Sequence, residues 1–273
     1  MKKTIIITSA AALLGLSALT ACKSDDEQSS TSTGPTTASA AKDCPGKRSF
    51  TQQAVVFDVL TLCATADVPT DKLSYAANVA AEWLDNDSDG VADEPRIIEA
   101  MRQNMPVVIM TPTGPSNALF RDLESDLNDR VIQDLSGAET NPSGGRRDAS
   151  QEEIHHVIAN SGWFKAFPEI FNDTPSAKLY GQWQLAERHG NYSYNDPTCD
   201  AACKVTEFFY LATAAYLGSA ADLASDEMQL KNRDELAAAL PATVSMMTST
   251  SYNYPTDHWP NGNYAFRENI KLN

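Results

Sequence analysis

The stretch formed by residues 148–163 constrains the fold most, because it reads as a helix that carries glutamates and histidines among apolar residues. At about 100° per residue in an α-helix, Glu152, His155 and His156 fall on one face. The opposite face is apolar and consists of Ile154, Val157 and Ile158. The sequence therefore predicts a helix with metal-ligand chemistry on one side and a hydrophobic core against the other.

The spacing within this helix is typical of a metal-binding motif. Glu152 and His156 stand four residues apart, where side chains on a helix meet, and Glu153 follows directly after the first. The order matches the H-E-x-x-H zinc helix, with a glutamate in place of the first histidine. Glu152 and His156 are therefore two candidate ligands of one metal ion.

A third candidate ligand lies in a second predicted helix, residues 204–217. Glu207 is the only acidic residue of this helix, and its neighbours one and two turns further on are aromatic or aliphatic. A carboxylate in such surroundings is costly to bury unless it is paired, protonated or bound to a metal. We therefore predict that Glu152, His156 and Glu207 bind the same ion.

This predicted ligand set contains one nitrogen and two carboxylates. Zinc accepts such a set and is the expected metal, although a harder divalent ion suits two carboxylates better. His155 either replaces Glu152 as a ligand or turns away to form a hydrogen bond outside the ligand set. The sequence leaves these two roles of His155 open.

Glu153 and Glu207 also have structural alternatives that involve no metal. Ser150-x-x-Glu153 and Asp148-x-x-Gln151 both fit an N-terminal capping box, which would give a glutamate a purely structural role. Glu207 could point to water near the start of its helix, where the helix dipole favours a negative charge. The positions of these side chains in the fold decide between the alternatives.

A second candidate metal site is the acidic loop of residues 85–93. Acidic residues at its positions 1, 3, 5 and 9, with glycine at position 6, match the first half of a calcium-binding loop. Position 12 is Arg96 and not the usual glutamate, so the loop resembles those of extracellular calcium modules. A solvated acidic turn is the alternative. The predicted calcium ligands are Asp85, Asp87, Asp89, Val91 and Asp93.

The N-terminus predicts an exported, lipid-anchored protein. Residues 1–21 read as a signal peptide, with two lysines, an apolar run and the lipobox Leu19-Thr20-Ala21-Cys22. Cys22 would then carry the lipid, and residues 22–45 would form a disordered tether rich in Ser, Thr and Ala. Lysine and acidic residues directly after Cys22 resemble a surface-export signal. We expect attachment to the bacterial envelope, at the outer membrane or cell surface, through the lipid alone.

Charge and cysteine content narrow the function classes. The formal net charge of −15 disfavours nucleic acid as a partner and suits divalent cations. Four cysteines besides Cys22 predict two disulfides in an exported chain. Of the three possible connectivities we favour the local one, Cys44–Cys63 with Cys199–Cys203. Residues 46–273 are expected to form one monomeric α+β domain, with a small N-terminal sheet and a helical C-terminal part.

Hydrophobic periodicity gives a first map of helices and strands. The region from residue 240 to the C-terminus is expected to be rich in turns, with scattered aromatic residues. The expected strands are 54–64 and 106–111. The expected helices are Thr70–Leu84, 94–104, 116–126, 148–163, 174–189 and 204–217.

The order of these parts, from residue 54 to about residue 217, resembles the catalytic domain of anthrax-lethal-factor-like zinc metallopeptidases. In that family a strand–helix–strand unit precedes a zinc helix that ends in a glycine–aromatic pair, here Gly162-Trp163. A later helix opens with a glutamate and an aromatic residue, here Glu207-Phe208. The chain is also similar to a set of exported proteins that share Leu-Asp-Asn-Asp-x-Asp-Gly and Glu-Glu-x-His-His.

The resemblance implies a zincin-like fold of the gluzincin type and assigns roles to residues. Glu153 matches the general base, His156 and Glu207 match zinc ligands, and Tyr192 or Tyr194 matches an oxyanion-stabilising tyrosine. Glu152 stands where the family has its first histidine ligand. This departure bears on catalysis, because an extra carboxylate raises the electron density on the metal and weakens its activation of water.

Two functions follow as expectations from the sequence. The first is a metal-dependent hydrolase that acts on peptides or proteins in the envelope or outside the cell. The second is a non-catalytic, calcium-binding surface lipoprotein that retains the fold without the chemistry. The two differ in whether Glu152 binds the metal, with Glu153 beside a water molecule.

Overall fold

A mixed β-sheet forms one side of the molecule. In the computed structural model, which describes residues 44–45, 49–123 and 130–273, its strands have the order β4-β3-β2-β1-β5. β2, β3 and β4 are parallel to one another, whereas β1 runs antiparallel to both β2 and β5. The strands are β1 (Gln52–Val56), β2 (Leu60–Ala64), β3 (Val107–Thr111), β4 (Ile132–Ser136) and β5 (Ile270–Leu272).

The helices pack mainly against one face of the sheet and continue beyond it. They are α1 (Thr70–Leu84), α2 (Pro95–Asn104), α3 (Asn117–Leu123), α4 (Ala149–Ile158), α5 (Phe164–Ala166), α6 (Lys178–Arg188), α7 (Ala201–Leu217), α8 (Arg233–Ala239) and α9 (Pro241–Met247). Helix and strand together confirm the α+β class. The predicted signal peptide, Cys22 and most of the tether lie outside the described residues. Within the described ranges, no helix is long and apolar enough to cross a membrane.

The prediction of one strand over residues 54–64 is wrong, because the chain turns back in the middle. Phe57 and Asp58 both have positive φ angles, 48° and 57°. The Val59 N–H donates to the Val56 carbonyl at 3.0 Å and closes the turn between β1 and β2. The apolar sequence hides this turn, because neither of its residues is a glycine or an asparagine.

Other elements depart from the predicted map in the polar and C-terminal regions. β4 was not expected, because three of its five residues are polar, yet all five are buried. The C-terminal region is not made of turns alone, since it contains α9 and ends in β5, which pairs with β1. Predicted helix 174–189 begins later, at Lys178, whereas α7 begins earlier, at Ala201.

The core lies mainly between the sheet and the helices. α1 and α7 are the helices that contribute the most buried residues to it. A smaller cluster covers the other face, where Cys63, Ile109 and Ile132 pack with Leu123 of α3. Both predicted disulfides are confirmed: Cys44–Cys63 joins the chain ahead of β1 to β2, and Cys199–Cys203 lies at the start of α7.

Helix α4 is the most enclosed helix of this core. Every residue from Ser150 to Ile158 is buried, and the helix continues into a π-helical turn, Ala159–Trp163. Gly162 allows this turn to approach α2, because a Cβ atom there would lie 3.2 Å from Cβ of Ile97. A helix in this position brings its polar side chains into the interior.

Residues 252–264 form a C-terminal strap that crosses α1 and α4. Glu82 of α1 accepts hydrogen bonds from the backbone N–H groups of Asn261, Gly262 and Asn263, at 2.8, 2.7 and 3.1 Å. Gln151 of α4 donates to the Pro260 carbonyl at 2.7 Å. Buried side chains of both helices therefore hold the strap in place.

Candidate metal centre

Three buried side chains from two helices converge on one point. Glu152 and His156 of α4 and Glu207 of α7 each offer a ligand atom, and these atoms all lie within 4.8 Å of one another. His156 Nε2 and Glu207 Oε2 are 3.6 Å apart. The structure thus brings together the three residues that the sequence predicts as ligands of one ion.

The start of α4 settles the capping alternatives. Asp148 is the N-cap residue, and its Oδ1 accepts from the N–H and the hydroxyl of Ser150 at 3.0 and 2.7 Å. Ser150 is therefore inside the helix and cannot be the N-cap of a box with Glu153. Gln151 reaches the strap instead of its own helix terminus. Capping therefore does not account for the two glutamates of α4.

His156 is fully buried and lies between two carboxylates. Its Nδ1 is 3.7 Å from Glu153 Oε2, and its Nε2 faces Glu207. Neither ring nitrogen has a hydrogen-bond partner among the described residues. Burial lowers the pKa of His156, and the nearby Glu207 charge opposes this effect only in part. A neutral buried imidazole without a partner is suited to binding a metal ion through a lone pair.

Glu207 is only 2 % exposed, so it does not point to water as its structural alternative requires. Burial raises the pKa of Glu207, the Glu153 charge raises it further, and His156 and Arg147 lower it. An ionised carboxylate here lacks the solvent that would stabilise its charge. A divalent cation between Glu207 and Glu152 would supply that stabilisation.

Glu153 lies against the same site from the side of β4. The side-chain amide of Gln133, in β4, donates a hydrogen bond to Glu153 Oε2. The neighbouring Asp134 is buried, and burial, together with the Glu153 charge, raises the pKa of Asp134 to about 7. Gln133, one of the polar residues that make β4 hard to recognise in the sequence, therefore forms part of the wall of the candidate site.

The two tyrosines predicted as candidates for oxyanion stabilisation differ in their hydrogen bonds. Among the described residues, Tyr192 donates its hydroxyl proton to a backbone carbonyl, and Tyr194 does not. The Tyr192 hydroxyl donates to the Lys204 carbonyl at 3.1 Å. Burial and the Glu207 charge raise the pKa of Tyr194. Its hydroxyl therefore stays protonated at neutral pH and can donate a hydrogen bond.

His155 lies outside the three-residue group. Its Nε2 is 3.0 Å from the Tyr254 hydroxyl of the strap, and its ring packs edge-on against Trp83 and Phe209. Burial lowers the pKa of His155 well below its usual value. Of the two roles left open for His155, the structure shows the hydrogen bond outside the ligand set.

Sequence reasoning missed Arg147, which precedes α4 and contacts Glu152 through Nη2. Arg147 Nε also donates to Asp222 Oδ1 at 3.1 Å, and Asp222 accepts from the hydroxyls of Tyr210 and Ser219. Arg147 is five residues from Glu152, outside the helical spacings that bring side chains together. Asp222 is in a short turn far along the chain. No local pattern could have revealed these contacts.

The acidic loop folds tightly around its own aspartates. Asp85 is buried and accepts from the N–H groups of Asp89 and Gly90 at 3.0 and 2.9 Å. The loop turns at Gly90, whose φ is 91°, so a side chain there would be strained. Asp85, Asp87 and Asp89 each offer a carboxylate oxygen within 4.8 Å of the others. The structure therefore brings together three of the predicted calcium ligands.

The other two predicted calcium ligands are placed differently. Asp93 Oδ2 accepts from the Asn86 N–H at 2.8 Å, and burial raises the pKa of Asp93 to about 7, with the charges of Asp87 and Asp85 adding to the effect. The Val91 side chain is exposed, and its predicted ligand is the backbone carbonyl. Asp93 closes the loop onto its first residues.

Calcium is expected to stabilise the protein through this loop. An ion that binds only the folded state, at ten to a hundred times its Kd, should raise the free energy of unfolding by about 1–3 kcal/mol. The Asp87→Ala/Asp89→Ala variant should lose this gain, as measured by the melting temperature with and without millimolar calcium. Asp67→Ala/Asp226→Ala, at exposed positions with the same charge change, should retain it. Equal calcium shifts in both double variants would show that the loop is a solvated turn.

Comparison with known proteins adds no assignment to this geometry. The chain matches no protein-family model, no curated protein and no solved structure. The interpretation of the two sites therefore depends on the residues and contacts described above.

Proposed function

We propose that the chain is an exported, lipid-anchored, metal-dependent hydrolase that cleaves peptide bonds. The observation that carries the proposal is the convergence of Glu152, His156 and Glu207 in the interior. The resemblance to anthrax-lethal-factor-like zinc metallopeptidases supports a peptide as the substrate. The lipobox that ends at Cys22 supports anchoring in the envelope.

The donor set suits zinc. A single buried imidazole whose nitrogens lack hydrogen-bond partners among the described residues, together with two carboxylates, provides three ligands and leaves the fourth position of a tetrahedral zinc ion open. A divalent ion held by these residues would act as a Lewis acid on the peptide carbonyl. Harder divalent ions compete for the same two carboxylates.

The residues around the ligands have distinct proposed roles. Glu153 accepts the proton of the attacking water and returns it to the leaving amine. Gln133 holds the Glu153 carboxylate through its side-chain amide. Tyr194 donates a hydrogen bond to the oxyanion, for which its raised pKa keeps it protonated. Glu153 also lies 3.7 Å from His156 Nδ1, so its replacement must be read out on zinc content as well as on rate.

The Glu153→Gln variant tests the proposal directly. Loss of a general base is expected to lower peptide hydrolysis by at least about a hundredfold while zinc content stays at the wild-type level. Zinc content is measured by elemental analysis, and hydrolysis with a library of fluorogenic peptides. Glu139→Gln makes the same chemical change at an exposed position near the site and should alter neither quantity.

Two results would contradict this proposal. Wild-type protein that takes up no divalent ion would exclude a metal-dependent hydrolase. Glu153→Gln protein that loses zinc in step with activity would show that Glu153 orients His156 and is not the base.

One observation favours the second candidate, a non-catalytic calcium-binding surface lipoprotein. Glu152 already contacts a cation, Arg147, which the buried Asp222 holds in place. On this account Arg147 replaces the metal, and calcium in the acidic loop stabilises the fold. A calcium-induced rise in melting temperature without zinc uptake or hydrolysis would identify this function.

A further inference from the structure

Arg147 is held beside the candidate metal centre by a buried polar group. Asp222, which accepts from Arg147 Nε, is 2 % exposed and is itself fixed by the hydroxyls of Tyr210 and Ser219. The guanidinium therefore has little freedom to move away from Glu152. The position of this positive charge is a property of the fold and not of a mobile surface side chain.

A positive charge at this position opposes the binding of another cation. A carboxylate has two oxygens, so Glu152 can accept from Arg147 with one and bind a metal ion with the other. The guanidinium and the ion then repel each other at short range, and water screens this repulsion only in part, because the Arg147 side chain is 35 % exposed and Glu152 is buried. The affinity of the site for a divalent ion is thus lower than its three ligands alone would give.

We propose that Arg147 is a built-in counter-cation that competes with a divalent metal ion for Glu152 and sets the metal affinity of the site. The inference rests on the proposed function for the presence of a metal, and it adds a residue that tunes the site without binding the ion. It also explains how Glu152 occupies the first ligand position without leaving a bare buried carboxylate when the ion is absent.

The test is a zinc titration against a chromophoric chelator, with wild-type protein and the Arg147→Met variant. Removal of the competing charge is expected to tighten zinc binding by about tenfold or more. Arg147→Lys keeps the charge and should stay closer to the wild-type affinity than Arg147→Met does. The adjacent Arg146 is exposed, and Arg146→Met, with the same loss of charge, should leave the affinity unchanged.

If the role of Arg147 is purely structural, Arg147→Met should change the zinc affinity in the opposite direction. If Arg147 only supports the start of α4, its removal weakens zinc binding, and that result overturns the inference. Should Arg147→Met alone fail to fold, Arg147→Met/Asp222→Asn removes both members of the pair and is titrated in its place. The amide oxygen introduced by Asp222→Asn can still accept from the Tyr210 hydroxyl. The same gain in zinc affinity is therefore expected.

The outcomes separate this inference from the proposed function. Zinc binding by wild type, with tighter binding by Arg147→Met, supports both. Zinc binding by Arg147→Met but not by wild type supports the counter-cation and excludes a zinc hydrolase. Equal or weaker binding by Arg147→Met overturns the counter-cation alone, and no binding by either protein overturns both.

Discussion

Replacing Glu207 with glutamine is expected to weaken zinc binding by at least about a hundredfold. Structural zinc sites gain about 10–16 kcal/mol from four ligands, so one ligand contributes roughly 3 kcal/mol. Glu207 is the sole contribution of α7 to the three-residue group. A competition titration measures the loss, and His156→Ala should show a loss of at least the same size.

The same variant should change the pH dependence of stability in zinc-free protein. Burial raises the pKa of Glu207. The pKa of a glutamate in the unfolded chain is about 4.3. Because the folded pKa is higher, the free energy of unfolding falls as the pH rises from the unfolded pKa through the folded pKa. Wild type should therefore lose stability relative to Glu207→Gln between about pH 5 and pH 8. Urea denaturation with a chelator present measures the difference.

Glu99→Gln is the matched control, because Glu99 is an exposed glutamate that pairs with Arg102 on the surface. It should alter neither zinc affinity nor the pH dependence of unfolding. Wild-type zinc affinity in Glu207→Gln would show that α7 supplies no ligand. A variant less stable than wild type at both pH values would assign Glu207 a structural hydrogen-bonding role.

The second large effect is expected at Glu82, which is not a candidate ligand of either ion. Glu82 is 3 % exposed and accepts three backbone N–H groups of the strap. Hydrogen bonds to a charged group contribute about 1.5–3 kcal/mol each. Glutamine has a single acceptor oxygen and turns an NH₂ donor towards these N–H groups. Glu82→Gln should therefore lower the free energy of unfolding by about 3–5 kcal/mol, measured by urea denaturation.

Glu99→Gln again provides the comparison, since breaking an exposed ion pair costs about 1 kcal/mol or less. A loss at Glu82 no greater than that at Glu99 would mean that other contacts hold the strap, such as Gln151 with Pro260. The comparison isolates burial, because both variants exchange the same carboxylate for the same amide.

Hydrophobic periodicity predicted the helices and strands in which buried residues recur at regular spacing. The bounds of α1 were predicted to the residue, because its apolar stripe is regular and ends at the acidic loop. β4 could not be predicted in the same way, since its buried polar residue Gln133 has its partner, Glu153, on α4, which no local window contains. The β1–β2 turn was missed because its left-handed residues, Phe57 and Asp58, include neither glycine nor asparagine and lie within an apolar run.

For the candidate site, helical spacing was sufficient to pair Glu152 with His156, and the apolar surroundings of Glu207 were sufficient to suspect burial. The meeting of α4 with α7 depends on tertiary packing, and the sequence could only propose it. Arg147 and Asp222 were not foreseen, because they lie 75 residues apart in the chain. Arg147 precedes α4, and Asp222 follows α7. The role of His155 depended on Tyr254, a strap residue that no pattern connects to α4.

The enclosure of α4 limits how its sequence can change over evolution. Most helices have a water-facing side, where substitutions accumulate with little effect on the fold. Residues Ser150 to Ile158 have no such side, so each substitution alters a contact with the sheet, α1, α7 or the strap. Divergence in this helix is therefore expected to favour paired changes, and Gln133 with Glu153 is one pair in which such compensation would be visible among related chains.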